Sequence, residues 1–131
     1  MTLLLDTHIW LWSMLSRQRL SGRVARALDK STNELWLSPI TVWEILTLCR
    51  KGRLTLRPDA GSWIVSALAQ TPLREAPITH EVALQIERVT VPHDDPADRF
   101  LAATARTYGL TLVTADENLL RGSGYSVLAN R

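Results

Sequence analysis

Leu3-Leu4-Leu5 stops abruptly at Asp6, and no other feature constrains the fold of this chain as tightly. A run of leucines with no polar member does not alternate, so it suits a short strand (residues 2–6) covered on both faces. An acid at its end marks a place where core meets a site. The pattern recurs late in the chain, where LTLV at 110–113 leads through Thr114-Ala115 to Asp116. LWL at 35–37 is a third short apolar strand, and weaker ones are expected at 73–76 and 125–128.

Helical patterns fill the intervals. A helix is expected over 7–15, directly after Asp6. Ser21 caps another over 22–30, with Val24, Ala25, Ala27 and Leu28 as its inner face. Ser38-Pro39 is a cap followed by proline at the first helical position; that helix runs to about Lys51 and stops at Gly52. Residues 58–69 place Trp63, Ile64, Ala67 and Leu68 on one face. Thr79 caps a helix through Arg88, broken by Val91-Pro92, and Asp95-Pro96 opens the last, which ends at Gly109. Strands alternating with helices imply an α/β fold, with a central, mostly parallel sheet of about four to five short strands flanked by helices. One domain over residues 1–131 is expected, with no repeat or linker.

The single cysteine, Cys49, excludes a disulfide framework; it falls in an apolar helical pattern and fits a cytoplasmic setting as a small buried side chain. No run approaches the length needed to span a membrane, and Asp6 breaks the N-terminal apolar stretch too early for a signal peptide. The formal net charge is only +2, from 15 basic and 13 acidic residues. If four of those acids share one site, the remaining surface is distinctly basic. Arg17, Arg19, Arg23, Arg26 and Lys30 form one cluster, and Arg50, Lys51, Arg53 and Arg57 another. Such a surface suits a phosphate-backbone substrate, although two solvated basic helix faces give the same pattern.

Four acids stand in apolar contexts: Asp6, Glu44 in ITVWEIL, Asp98 in DDPADRFLAATA, and Asp116. Carboxylates normally stay on the wet face of a protein, and ligands of parallel sheets bind beyond the carboxyl ends of strands. Each acid has a plainer reading. Asp6 and Asp116 are good helix caps, and Glu44 fits a narrow polar stripe with Thr41 and Thr47. Asp98 at a third helical position favours the helix dipole, and Asp95 reads mainly as the cap of that helix. Together, at strand ends and on inner helical faces, they point to a divalent cation held by oxygen ligands, Mg2+ or Mn2+. Thr114 is placed to hydrogen-bond a neighbouring carboxylate. His8, His93 and Arg99 are candidate substrate contacts; the three histidines lack the paired spacing of a zinc site. Metal-assisted hydrolysis of a phosphodiester fits this set, and no serine-nucleophile elbow, P-loop or dinucleotide-binding pattern competes.

At this point the residues resemble a known family. LLLDTHIWLW, SPITVWEI, KGRLTL, HDDPADRFLAATA and LTLVTADENL together look like a PIN-domain ribonuclease of the VapC toxin type, over essentially the whole length. HDDPADR is similar to that family's H-x-DP-x-DR pattern and is the most specific piece, whereas ADENLL departs from it where a bulky aromatic often follows. The resemblance implies a PIN-like nuclease domain whose four acids bind magnesium or manganese and which cuts RNA; here they fall on Asp6, Glu44, Asp98 and Asp116, with Asp95 in support. It also implies a cognate small antitoxin protein and a homodimer.

Two other readings remain: a structure-specific DNA nuclease, and a non-catalytic scaffold that binds nucleic acid or protein. A phosphotransfer receiver domain also places acids at strand ends, but it needs a lysine after the last strands and none follows Lys51. The five tryptophans are expected mostly in the core, yet Trp10 and Trp12 point about 200° apart on one helix. One of that pair is expected at a dimer or antitoxin interface.

Overall fold

The computed structural model describes residues 1–131. Five strands form one sheet: β1 (Thr2–Leu5), β2 (Glu34–Leu37), β3 (Leu73–Glu75), β4 (Thr111–Thr114) and β5 (Ser126–Ala129). Their order is β3-β2-β1-β4-β5, and every pairing is parallel. The chain builds outward from β1 on one side, then returns to add β4 on the other. The reversal point lies between β1 and β4, where Leu5 pairs with Val113 and the Asp6 N–H donates to the Val113 carbonyl at 3.0 Å.

Seven helices cover the sheet: α1 (Thr7–Leu15), α2 (Gly22–Asp29), α3 (Pro39–Arg50), α4 (Ala60–Gln70), α5 (His80–Gln85), α6 (Pro96–Tyr108) and α7 (Glu117–Leu120). Strand alternation divides β1 between two layers. Leu3 and Leu5 pack with Ile9, Trp10, Val24, Ile45 and Ile64, whereas Leu4 packs with Leu101, Ala105, Leu112 and Leu119. All three leucines are shut off from solvent. At about 25 cal/mol per Å² of apolar surface, such burial on both faces is the main force holding the central strand.

Caps set the helix limits. The Ser21 hydroxyl accepts the Val24 N–H, Ser38 accepts that of Ile40, and Thr79 that of Val82. Gly109 ends α6 in the left-handed conformation, at φ 64°. Four details differ from the sequence reading. α4 starts two residues later than expected because Asp59, not Pro58, supplies its cap; it packs through Ile64 and Ala67, leaving Leu68 exposed. The helix after Thr79 tightens to a 3-10 turn over Ile86–Arg88. A further 3-10 turn, Arg17–Arg19, follows α1. α7 is a single turn that the sequence reading held only as a cap at Asp116. Cys49 is half-buried against the larger layer, Trp10 alone of the tryptophans is fully buried, and Trp43 is 55% exposed. No helix is long and apolar enough to cross a membrane.

Candidate active site

β1 and β4 end side by side, and the chain turns there into α1 and α7. A cavity of about 340 Å³ opens at this point, lined by Asp6, His8, Trp12, Glu44, Asp95, Asp98, Ala115 and Asp116. Five acids from four places in the sequence thus meet beyond the carboxyl ends of the strands, where parallel sheets bind their ligands. No lysine or arginine lines the cavity.

Three of the acids do two things at once. Asp6 caps α1, accepting the Thr7 N–H on Oδ1 at 2.7 Å. Asp95 caps α6 through the Ala97 N–H at 2.9 Å, and Asp116 caps α7 through the Asn118 N–H at 2.8 Å. In each case the cap occupies Oδ1. Capping and site membership are therefore compatible: the helix turn fixes each carboxylate through Oδ1 while the residue lines the cavity. Thr114, the last residue of β4, ties two of these acids together. Its hydroxyl donates to Asp6 Oδ2 at 2.6 Å and accepts the Asp116 N–H at 3.0 Å.

Glu44 reaches the cavity from α3. Its Oε1 accepts the Thr7 hydroxyl, which lies 3.3 Å from the Thr41 hydroxyl. Thr7 and Thr41 are both buried, so this polar group within the core is built to aim Glu44. The only sequence signal for Thr7 was its place after Asp6 at the first helical position. Asp98 differs from all the others. It lies on the buried face of α6 with Leu101, Ala102 and Ala105, is only 7% exposed, and has no hydrogen bond or ion pair with any protein donor.

The electrostatics follow from this crowding. Burial pushes Asp98 up to about 7, and its neighbours Asp95, Asp116, Asp6 and Glu44 push the same way. Burial also raises Glu44 to about 7 against the opposing Thr7 hydrogen bond, with further upward pressure from Asp6, Asp95 and Asp116. Burial raises Asp6 as well, opposed by the bonds from Thr114 and Thr7. His8 also pulls Asp6 down, but no lysine or arginine lies within the cluster.

The flanking residues divide. His8 is exposed and lines the cavity, its ring 5.8 Å from that of Trp12. His93, Asp95 and Asp98 bring one ligand atom each within 4.8 Å of one another. However, His93 Nδ1 accepts the Asp95 N–H at 3.0 Å, so in the neutral ring Nε2 carries the proton. His93 would have to surrender that bond to become a ligand, which leaves the oxygen donors as the better set. Arg99 does not line the cavity; its guanidinium pairs at 3.5 Å with Asp94, whose side chain is 94% exposed. Trp10 and Trp12 diverge as their spacing requires, and Trp12 forms a wall of the cavity.

Residues 3–124 match the PIN domain family. The chain belongs to the PIN-domain family. This PIN domain is 36% identical, over 121 residues, to Ribonuclease VapC22 of Mycobacterium tuberculosis, covering 90% of this chain and 89% of that protein. Its fold is similar to a chain of VapBC2 from Rickettsia felis, crystallised with a DNA fragment from its promoter, at TM-score 0.73 and 14% identity over 98% of both chains. It is also similar to DNA-bound VapBC from Salmonella typhimurium, at TM-score 0.71 and 18% identity over 100% of this chain and 99% of that one. For FitAcB of Neisseria gonorrhoeae the TM-score is 0.64 and the identity 24%, over 98% and 97% of the two chains. At these identities the structural likenesses establish the PIN fold, and the relationship to the VapC ribonuclease rests on the sequence match.

Proposed function

We propose that this PIN domain is a Mg2+- or Mn2+-dependent endoribonuclease, hydrolysing RNA phosphodiester bonds as the toxin of a toxin–antitoxin pair. The observation that carries the reading is Asp98: a carboxylate on a largely buried residue, with no hydrogen-bond donor in the protein, in a cavity with four other acids and no arginine or lysine. An arrangement that places several carboxylates together without compensation is costly unless a cation completes it. The donor set fits a hard divalent ion, since with His93 committed to Asp95 five carboxylates line the cavity against a single histidine, His8.

In this reading Asp6, Glu44, Asp98 and Asp116 hold the cation, and Asp95 supports them from the cap of α6. What such a cation supplies when bound is polarisation of a phosphoryl oxygen and a more acidic attacking water. The chain's own residues do the rest. Thr114 fixes Asp6 against the Asp116 backbone, Thr7 fixes Glu44 through Oε1, and His8 is free at the wall for a substrate contact. The toxin role is supported by the ribonuclease to which the chain is related and by the complexes that share its fold. Its partners would be a small antitoxin protein and a second copy of the chain, in a cytoplasmic setting.

The test is cleavage of single-stranded RNA by the purified chain with magnesium or manganese, with excess EDTA, and with Asp98→Asn. Cleavage that needs the metal and the carboxylate supports the reading. Full activity in EDTA removes the metal mechanism, and binding without cleavage under any metal favours the scaffold.

A further inference from the structure

We propose that Arg19 anchors the RNA phosphate next to the scissile one, and that Trp12 is the positioning residue that holds Arg19 there. The inference rests on the ribonuclease reading above and names a part of its substrate path.

Trp12 separates the cavity from the basic segment that follows α1. The indole is half-buried and lines the acidic cavity, while the Arg19 guanidinium lies 4.7 Å from its ring centroid. That is a close cation–π contact, which orders the guanidinium but leaves its N–H donors available. The backbone beneath Arg19 is also fixed. The Asn130 side chain donates to the Arg19 carbonyl at 3.0 Å and accepts the Ser21 N–H at 2.7 Å, and Leu20 between them is buried.

Arg19 differs from the arginines whose charge is already matched. Arg17 donates from one guanidinium nitrogen to both oxygens of Asp29 at 3.0 Å, Arg99 pairs with Asp94, and Arg131 pairs with Glu117. Arg19 has no ion pair and no side-chain hydrogen bond, and it is not among the groups acting on Asp6, Glu44 or Asp98. It is thus an ordered, unneutralised fork of donors set against the outer side of the wall of a cavity that takes a phosphodiester. A guanidinium in that position matches a phosphate bidentately. A strand whose reacting phosphate enters the cavity beside Trp12 carries its neighbouring phosphate past Arg19.

The experiment measures cleavage and binding of a fluorescent single-stranded RNA oligonucleotide at a series of salt concentrations. Cleavage is followed for wild type, Arg19→Ala, Arg19→Lys, Trp12→Phe, Trp12→Leu, and Trp12→Leu with Arg19→Ala; binding is followed for the same changes in the non-cleaving Asp98→Asn background with magnesium. Arg19→Ala is expected to raise KM roughly 5- to 20-fold, the size of one charge-assisted contact, with kcat within about twofold. The slope of log affinity against log salt should fall by about 0.7, one phosphate contact on a single strand. Arg19→Lys should recover part of the loss and Trp12→Phe nearly all of it. Trp12→Leu should match Arg19→Ala and add little to it, which a merely structural tryptophan would not do. Arg17→Ala, already neutralised by Asp29, should leave KM and slope near wild type. Arg19 is exposed, so an unchanged urea midpoint verifies that its variants fold. If wild type cuts RNA but Arg19→Ala keeps the wild-type KM and salt slope, the anchor is overturned and the ribonuclease reading stands. Equal effects of Arg17→Ala and Arg19→Ala overturn it too, because they mean diffuse charge. If wild type cuts no RNA at all, both readings fall.

Discussion

Replacing Asp98 by asparagine should make the metal-free protein more stable, and only at neutral and higher pH. Asp98 is buried, makes no hydrogen bond, and has its carboxyl pushed from 3.8 to about 7. A carboxyl raised in the folded state is favoured when protonated, so its contribution is present below the unfolded pKa and is lost as pH rises through 7. At about 1.4 kcal/mol per unit, a rise of about three units corresponds to roughly 4 kcal/mol of penalty at pH 8. The carboxylate faces a cavity, and water there screens part of this, so about 2–4 kcal/mol is the expected range. The asparagine amide has its own burial cost, on the order of 1–3 kcal/mol, and it is the same at every pH. Urea unfolding in EDTA at pH 5 and pH 8 separates the two. Part of the penalty is already present at pH 5, above the unfolded pKa, so the stability of Asp98→Asn relative to wild type should rise by about 1–2.5 kcal/mol between those pH values. Magnesium at pH 8 should then close the gap by stabilising wild type alone. A difference between variant and wild type that does not change with pH would refute the reasoning, since it would mean that the Asp98 charge is solvated or neutralised in the native protein.

Further outcomes follow from the same geometry. Asp98→Asn and Asp6→Asn should each lower metal-dependent RNA cleavage by at least about 100-fold, whereas Asp94→Asn, on a fully exposed side chain, should be near silent in the same assay. Because Glu44 and Asp98 sit near 7 and must lose their protons to bind a cation, affinity for Mn2+ measured by calorimetry should rise steeply from pH 6 to pH 8, with proton release on binding. Thr114→Val should cost about 1–3 kcal/mol in urea unfolding, because it leaves Asp6 Oδ2 and the Asp116 N–H without their partner. Co-expression of a small cognate antitoxin should relieve growth arrest caused by the chain in its own host, measured as colony counts.

The fold was legible because the leucines of β1 and the LTLV segment of β4 can only be buried on both faces, and because serine, threonine, proline and glycine signals marked most helix ends. The sheet was expected to be mostly parallel and is wholly so. The short elements were missed for a physical reason. α7 and the Arg17–Arg19 turn are too brief to show a helical period, and only tertiary packing holds them. At the site, the acids were readable one at a time, each against a structural alternative. Sequence could not show that Asp6, Asp95 and Asp116 each cap a helix and line the cavity at once. Nor could it show that Thr7 aims Glu44, that Asp98 lacks any donor, or that Arg99 turns to Asp94 while Arg19 lies on Trp12. Those facts depend on side-chain direction across elements, which periodicity does not encode.

The account stands or falls on whether the carboxylates hold a cation together. A crystal of the chain soaked in Mn2+ and measured at the manganese absorption edge gives the answer directly. The prediction is an anomalous peak inside the cavity, at ligand distance from Asp98 and at least one of Asp6, Asp116 and Glu44, and lost in Asp98→Asn. A cavity empty at saturating Mn2+, or a peak held by His93 away from Asp6 and Asp116, would contradict it.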